Sequence, residues 1–242
     1  MAVKKLEEEL GVLLFNREDY RPKLTEQGEA FYIRSKELFE KAKTLENFGK
    51  ELGLGNEPEI KIAIDGICPL PDVLKVIKVF SKENPSTKIN LTFEIIGGAP
   101  EKLLKGDAQL AISPGLEVDL SLFNMEKVFD VEMIPVASPK LFEKEYMSMS
   151  YDDLKEYPQI VVRSTSDEES TRSYGVLEGG RHWSVGDMQS KKEILVAGLG
   201  WGNMPCHSIA TELKSNQLID LSDLGLIKTT IPMYLMTPNK IP

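Results

Sequence analysis

The sequence is poor in sulfur ligands and in imidazole. Only two cysteines and two histidines stand among its 242 residues. Two cysteines exclude a disulfide-dense scaffold and a four-cysteine zinc site. Two histidines, His182 and His207, lie far apart in sequence and fit packing or surface roles better than a metal centre. No run of about 18 apolar residues occurs, which excludes a membrane-spanning helix. The opening MAVKKLEEELG carries Lys4 and Lys5 but no apolar segment behind them, so it is not a secretory signal. A reducing, cytoplasmic setting without a membrane partner is expected. Positive charge is also short, with 29 Lys and Arg against 38 Asp and Glu and a formal charge of −9. That balance argues against nucleic-acid binding over the whole surface but leaves room for a local basic patch. The deficit is uneven: residues 1–55 carry ten basic and eleven acidic residues, so most of the excess negative charge follows them. Serine-hydrolase, zincin and Walker motifs are missing. Gly198, Gly200 and Gly202 echo part of a dinucleotide fingerprint, but they follow a helical segment rather than a strand. No enzyme, cofactor or metal is expected, and Glu168 and Glu169 read as a solvated loop.

What is present suits a soluble globular chain. Hydrophobic residues are 41% of the sequence, enough to bury a core and too many for a disordered chain. The first 55 residues form an arm. Val3, Leu6 and Leu10 recur on one face of a short helix, and Gly11 stands where a helix ends. A polar segment with Pro22 reads as a loop or small wing. Thr25 is placed to cap a second, long helix with its hydroxyl. Along that helix Leu24, Phe31, Leu38, Leu45 and Leu52 recur every seven residues between charged neighbours. The row fits a dimerisation seam between chains. It also fits an amphipathic helix packed on its own body. Gly53 to Pro58 then breaks the chain.

Beyond the breaker, strand, helix, strand, helix and strand alternate. The strands are expected at residues 59–65, 88–96 and 108–112, with helices at 72–83 and after Pro100. The first helix points Val73, Val76, Ile77 and Phe80 inward, and the second strand aligns Ile89, Leu91, Phe93 and Ile95 on one face. This order predicts a parallel sheet with crossover helices. Further strands are expected at 125–137, 159–163, 182–185, 201–204, 218–221 and 231–236. Helices are expected at 187–199, capped by Asp187, and at 205–214. Two α/β lobes with two crossings follow.

The combination Val3, Leu6, Glu7, Leu10, Gly11, Leu14, Phe15 and Arg17, followed by Leu24, Thr25 and Gly28, resembles the DNA-binding domain of LysR-type transcriptional regulators. In the body, the segments PLPDVLKVIKVFSKENP, LLKGDAQLAI and VAGLGWGNMP resemble that family's effector domain, in the same order. The resemblance spans nearly the whole chain. It implies an α/β fold: a two-lobed effector domain like a type-2 periplasmic binding protein, preceded by a partial winged helix and a long linker helix. The corresponding divisions are residues 1–24, 25–55 and 56–242. Lobe I takes 56–137 and 228–242, and lobe II takes 138–227. The resemblance also implies a homodimer or tetramer, DNA as a partner and a small-molecule effector.

The chain departs from the family pattern at both ends. It begins inside the recognition helix, without the two preceding helices, and stops near where a last helix would begin. It therefore reads as a fragment, a truncated gene product or a partial gene model. For DNA there remain Lys4, Lys5, Arg17, Arg21 and Lys23, which suit phosphate contacts rather than base reading. A solvated surface is the competing role for them. Two functions fit: a ligand-responsive regulator, or a stand-alone small-molecule-binding module that pairs with full-length relatives.

Open α/β sheets bind ligands beyond the carboxyl ends of their strands. Those ends offer Gly66, Ile67, Cys68, Pro69, Gly98, Ser113, Arg163, Ser164, Thr165 and Met204 as effector-binding candidates. Helix starts near Pro71, Pro100 and Pro205 favour an anion, which Arg163 can grip in a bidentate pair. A surface ion pair is the alternative for Arg163, and turn formation for the three hydroxyl residues. Cys68 stands where the family commonly has Ser or Thr, and is read as inert lining. Cys206 reads as structural. A redox pair between the two cysteines is the remaining alternative.

Overall fold

The computed structural model describes residues 2–16, 22–53, 58–116, 119–142, 149–166 and 175–239. It divides the chain into two compact units, Met1–Pro58 and Glu59–Pro242.

In the first unit, helix α1 (Ala2–Leu10) ends at Gly11, whose φ of +65° is the left-handed conformation a helix terminus needs. Strands β1 (Phe15–Asn16) and β2 (Lys23–Leu24) pair antiparallel as a small wing, with Phe15 opposite Leu24. Helix α2 (Glu26–Gly53) follows. Two side chains fasten these pieces together. Buried Glu7 accepts the backbone N–H groups of Leu14 and Phe15 at 2.8 and 2.9 Å. Thr25 accepts the Gly28 N–H at 2.9 Å and donates its hydroxyl to the Leu13 carbonyl at 2.6 Å, the expected cap. Gly28 is required here: a Cβ on it would stand 2.0 Å from the Leu14 carbonyl oxygen.

The second unit is built on a nine-stranded mixed sheet. Its strands are β3 (Glu59–Asp65), β4 (Lys88–Glu94), β5 (Leu110–Ser113), β6 (Phe123–Ala137), β7 (Gln159–Val162), β8 (His182–Val185), β9 (Trp201–Pro205), β10 (Ile219–Asp220) and β11 (Thr229–Pro238). The order is β4-β3-β5-β11-β6-β9-β7-β8, with β10 also on β6. β3 runs parallel to β4 and β5, and β7 runs parallel to β8 and β9. The long strand β6 joins the two sets, pairing with β11 over Phe123–Met133 and with β9 over Met133–Ala137. β11 returns the chain to the first set. This gives the two lobes and two crossings that the alternation predicts.

Helices α3 (Leu70–Glu83), α4 (Gly98–Leu104), α5 (Met188–Val196) and α6 (Ala210–Lys214) cover the sheet. Each lobe has a core on both faces of its strands, because successive strand residues point to opposite sides. In the first lobe, Ala63 and Ala111 pack with Leu103 and Phe123, while Ile62 and Ile64 pack with Val73, Val131 and Met233. In the second lobe, Ile134, Ile160, Leu195 and Met204 form one cluster and Leu154, Trp201 and Leu221 another. The Trp201 indole N–H is satisfied by the Leu154 carbonyl at 3.2 Å. Asp187 caps α5 by accepting the Ser190 N–H at 2.7 Å.

Three local expectations are corrected. Val76 and Phe93 are exposed, not inward. Helix α3 is apolar around most of its circumference, and sequence periodicity alone does not choose which stripe meets the sheet. β4 is an edge strand, where Glu94 turns in to meet Lys102 and Phe93 faces out. The expected helix over 205–214 is split. A 3₁₀ turn at Cys206–Ser208 precedes α6, with the Ser208 hydroxyl donating to the Pro205 carbonyl.

Candidate functional site

A cavity of about 570 Å³ opens in the second unit, lined from both lobes. The ends of the parallel strands build it. Asp65 and Ile67 come from the end of β3, and Ile95 and Ile96 follow β4. Pro114 and Leu116 follow β5, while Arg163 and Ser164 follow β7. Gln159, Ser184, Met188, Lys191 and Asn203 complete the second-lobe side. The wall is mainly aliphatic, with ionisable groups at separate points.

The two lobes are clasped beside this cavity. The Thr165 N–H donates to the Ile95 carbonyl at 3.0 Å, and the Ile95 N–H donates to the Thr165 hydroxyl oxygen at 2.9 Å. The Ser164 hydroxyl donates to the Ile96 carbonyl at 2.5 Å. Ile96 sits at φ +37°, a conformation a β-branched residue adopts only where its surroundings hold it. Gly98 makes the approach possible, since a Cβ there would stand 2.1 Å from the Thr165 hydroxyl oxygen.

Of the effector-binding candidates, Ile67, Arg163 and Ser164 line the cavity. Gly66 lies against Ile95 and Met188, where a Cβ would collide. Gly98 and Thr165 meet in the clasp. Pro69 caps α3. The Ser113 hydroxyl oxygen accepts the Gly115 N–H at 3.4 Å. Met204 is buried in a second-lobe core. Cys68 is buried in a first-lobe core, and burial, with the Asp65 charge adding, pushes its thiol up to about 12. It is inert at neutral pH. Cys206 belongs to a different cluster, and burial raises its thiol as well. Both cysteines are free. Gly198, Gly200 and Gly202 have local explanations: Gly198 closes α5 at φ +78°, while Gly200 and Gly202 admit the Pro158 and Ile160 carbonyls.

Two buried, ionisable cavity residues lie outside the sequence-based set. Asp65 is 4% exposed, and burial pushes its carboxyl up to about 6 against the hydrogen bonds from the Ile67 and Ile96 N–H groups, with Glu94 adding. Lys191 is 5% exposed, and burial alone brings its ammonium down to about 8. A sequence signal for Lys191 exists. It stands between Met188 and Leu195 at helical spacing, the inward stripe of an amphipathic helix. Among the described residues, the first turns of α3 and α4 contribute nothing to the lining.

In the first unit, Lys4 and Lys5 are exposed on α1, and Lys5 lies 3.8 Å from Glu9. Lys23 is exposed on β2. Arg17 and Arg21 lie outside the described residues. In the heptad row, Leu24 is half-buried on the wing, whereas Phe31, Leu38 and Leu45 are exposed. Leu52 ends the row within α2, and its side chain lies outside the described set.

Residues 54–240 match the family model for the LysR substrate binding domain. The chain belongs to the LysR family. This LysR-family chain is 29% identical over 220 residues to the HTH-type transcriptional regulator YhaJ of Escherichia coli O157:H7, covering 90% of the chain and 73% of that protein. In fold it is similar to CrgA, a LysR-type transcriptional regulator from Neisseria meningitidis. The TM-score is 0.58 and the identity 18%, over 98% of this chain and 81% of that one. It is also similar to full-length LysG from Corynebacterium glutamicum with bound effector Arg. There the TM-score is 0.56 and the identity 22%, over 99% and 81% of the two chains. The LysR-family chain is thus a LysR-type transcriptional regulator with an effector-binding domain, and the cavity lies within that domain.

Proposed function

We propose that this regulator senses a small anionic molecule in the cavity between its lobes and passes the event to DNA through an assembly made by α2. The observation that carries the reading is the cavity itself: about 570 Å³, mostly apolar, with Arg163 and Lys191 as its cations and backbone closing around it from both lobes. LysG, a protein of the same fold, has the small-molecule effector Arg bound. A ligand that touches both lobes favours their closed arrangement over any open one, and this difference in affinity is what drives a two-state hinge. The Thr165–Ile95 clasp is the contact that such a hinge loads.

The exposed row Phe31, Leu38 and Leu45 supplies an apolar stripe for a second copy of α2, giving a dimer or tetramer. Lys4, Lys5 and Lys23, with Arg17 and Arg21, supply phosphate contacts that position the protein on DNA. The test is a binding titration at two salt concentrations with DNA from upstream of the chain's own gene. Wild type is compared with the double variant Leu38→Glu, Leu45→Glu, with mass measured by sedimentation. The expected result is a monomeric double variant with an intact body and DNA affinity reduced about 100-fold or more, since each protomer then binds alone. A double variant that keeps the wild-type mass overturns the seam. Wild type without salt-dependent DNA binding leaves the stand-alone ligand-binding module as the function.

A further inference from the structure

Among the described residues, one charge in the cavity forms no ion pair. Lys191 is on α5, on the inward stripe between Met188 and Leu195, and its side chain reaches the cavity. Its path is built. A Cβ on Gly202 would stand 3.0 Å from the Lys191 Cε and 2.7 Å from the Ile160 carbonyl oxygen, so the glycine leaves a channel in which the lysine stem lies. Among the described residues no hydrogen bond or ion pair reaches its ammonium, yet no buried side-chain nitrogen is left orphaned, so the group opens onto the cavity rather than into sealed protein. The adjacent Lys192 shows the contrast: it pairs with Glu212 at 2.7 Å. The buried carboxylate on the opposite lobe, Asp65, receives the Ile67 N–H at 3.0 Å, and Lys191 does not enter its electrostatics. An ammonium removed from water without a partner is costly to a fold, and an apolar residue would serve packing better at that position.

We propose that Lys191 is the anion receptor of the cavity, holding the carboxylate of a small effector whose body is apolar. This rests on the anionic-effector reading above and deepens it. The exposed Arg163 stands at the rim, where water already solvates it, so it discriminates less between an acid and a neutral molecule. Lys191 sits where water is scarce, so a carboxylate gains most there. Ile67, Ile95, Val161 and Met188 give the rest of the molecule an aliphatic setting. The class is therefore a small carboxylic acid with an aliphatic or aromatic body, rather than a sugar phosphate or a polyanion.

The experiment uses the full chain as wild type, Lys191→Met and Arg163→Met, melted at neutral pH and constant ionic strength. The probes are acetate, hexanoate and benzoate, each beside its neutral amide. Without any probe, Lys191→Met melts higher than wild type, because an unpartnered charge has been removed. A lower melting temperature for this variant means that Lys191 serves the fold, and overturns the proposal. With probes, hexanoate or benzoate raises the melting temperature of wild type saturably, and the matching amide does not. Its apparent affinity falls about tenfold or more in Lys191→Met and changes much less in Arg163→Met. Acid binding that survives in Lys191→Met and is lost in Arg163→Met overturns the receptor while sustaining the anionic reading. Amides that bind as well as their acids, or acids that leave wild type unmoved, overturn the anionic reading itself. The probe-free melting comparison still decides whether Lys191 is structural.

Discussion

In the arm, Leu38 and Leu45 lie on a 28-residue helix with each side chain 69% exposed. In the body, Ile64, Leu154 and Ile160 are sealed between sheet and helices at full burial. The same kind of residue, at similarly regular spacing, ends in opposite environments. The body buries its central apolar residues in four clusters, two to a lobe, while Leu74, Val76 and Val79 of α3 stay exposed. Helix α2 leaves its row open, and a long helix in water draws most of its stability from something packed against an apolar face. The body therefore carries its own core, and in the proposed assembly the arm gains one from a second copy of α2. Among the described residues, the arm's own fixed points are few: Glu7, Thr25, the bare backbone at Gly28 and buried Leu14.

The contrast breaks most visibly in the body. Trp201→Ala removes a fully enclosed indole and the hydrogen bond it gives Leu154. The expected loss is about 3–5 kcal/mol in urea unfolding. Mass in sedimentation at low temperature stays at the wild-type value, because α2 shares none of that cluster. A smaller oligomer in this variant would show that the arm depends on the body's core.

The arm's counterpart is Gly28→Ala. The added methyl group meets the Leu14 carbonyl, which is backbone and has nowhere to go. We expect about 3 kcal/mol lost from the turn that joins the wing to α2. Hydrogen exchange reads it locally: the Leu14, Phe15 and Gly28 amides lose protection, while those of β3 and β6 keep theirs. Uniform loss across both units would mean that arm and body unfold as one.

The features legible in sequence were those set by local chemistry. Gly11 ends α1, Thr25 and Asp187 cap their helices, and the alternating elements after Pro58 give the parallel strand sets. Each depends on a few neighbouring residues and on preferences that hold in any protein. Of the cavity, Ile67, Arg163 and Ser164 were reachable, because the strand ends locate the crevice. Lys191 was not reached, because a lysine on a helix is normally solvated, and only the packing of α5 against β9 turns it inward. Asp65 was missed for a similar reason. It ends a strand whose last four residues are all buried, and nothing local says that the strand end stays under cover. Strand ends place Gly98 and Thr165 separately; their contact with each other depends on how two lobes distant in sequence dock.

The smallest expected effect separates two buried carboxylates, Glu7 of the arm and Asp65 of the body. Glu7 is tied to two backbone N–H groups that hold the arm together. Asp65 faces a cavity, and burial raises its carboxyl from the ordinary 3.8 to about 6. Between those values the folded body binds more protons than the unfolded chain. Stability from this group is thus fully present below about pH 4 and is lost as pH rises through about 6. Above that, the empty body carries the cost of an ionised, desolvated carboxylate. Asp65→Asn keeps an oxygen to accept the Ile67 N–H and removes the charge, so it stabilises the chain at pH 7 by roughly 2 kcal/mol and by much less at pH 4. Urea unfolding at the two pH values measures the difference. Equal effects at both would show that Asp65 is already neutral at pH 7 or as well solvated as any surface acid, and the cavity wall would then be wetter than its aliphatic lining implies.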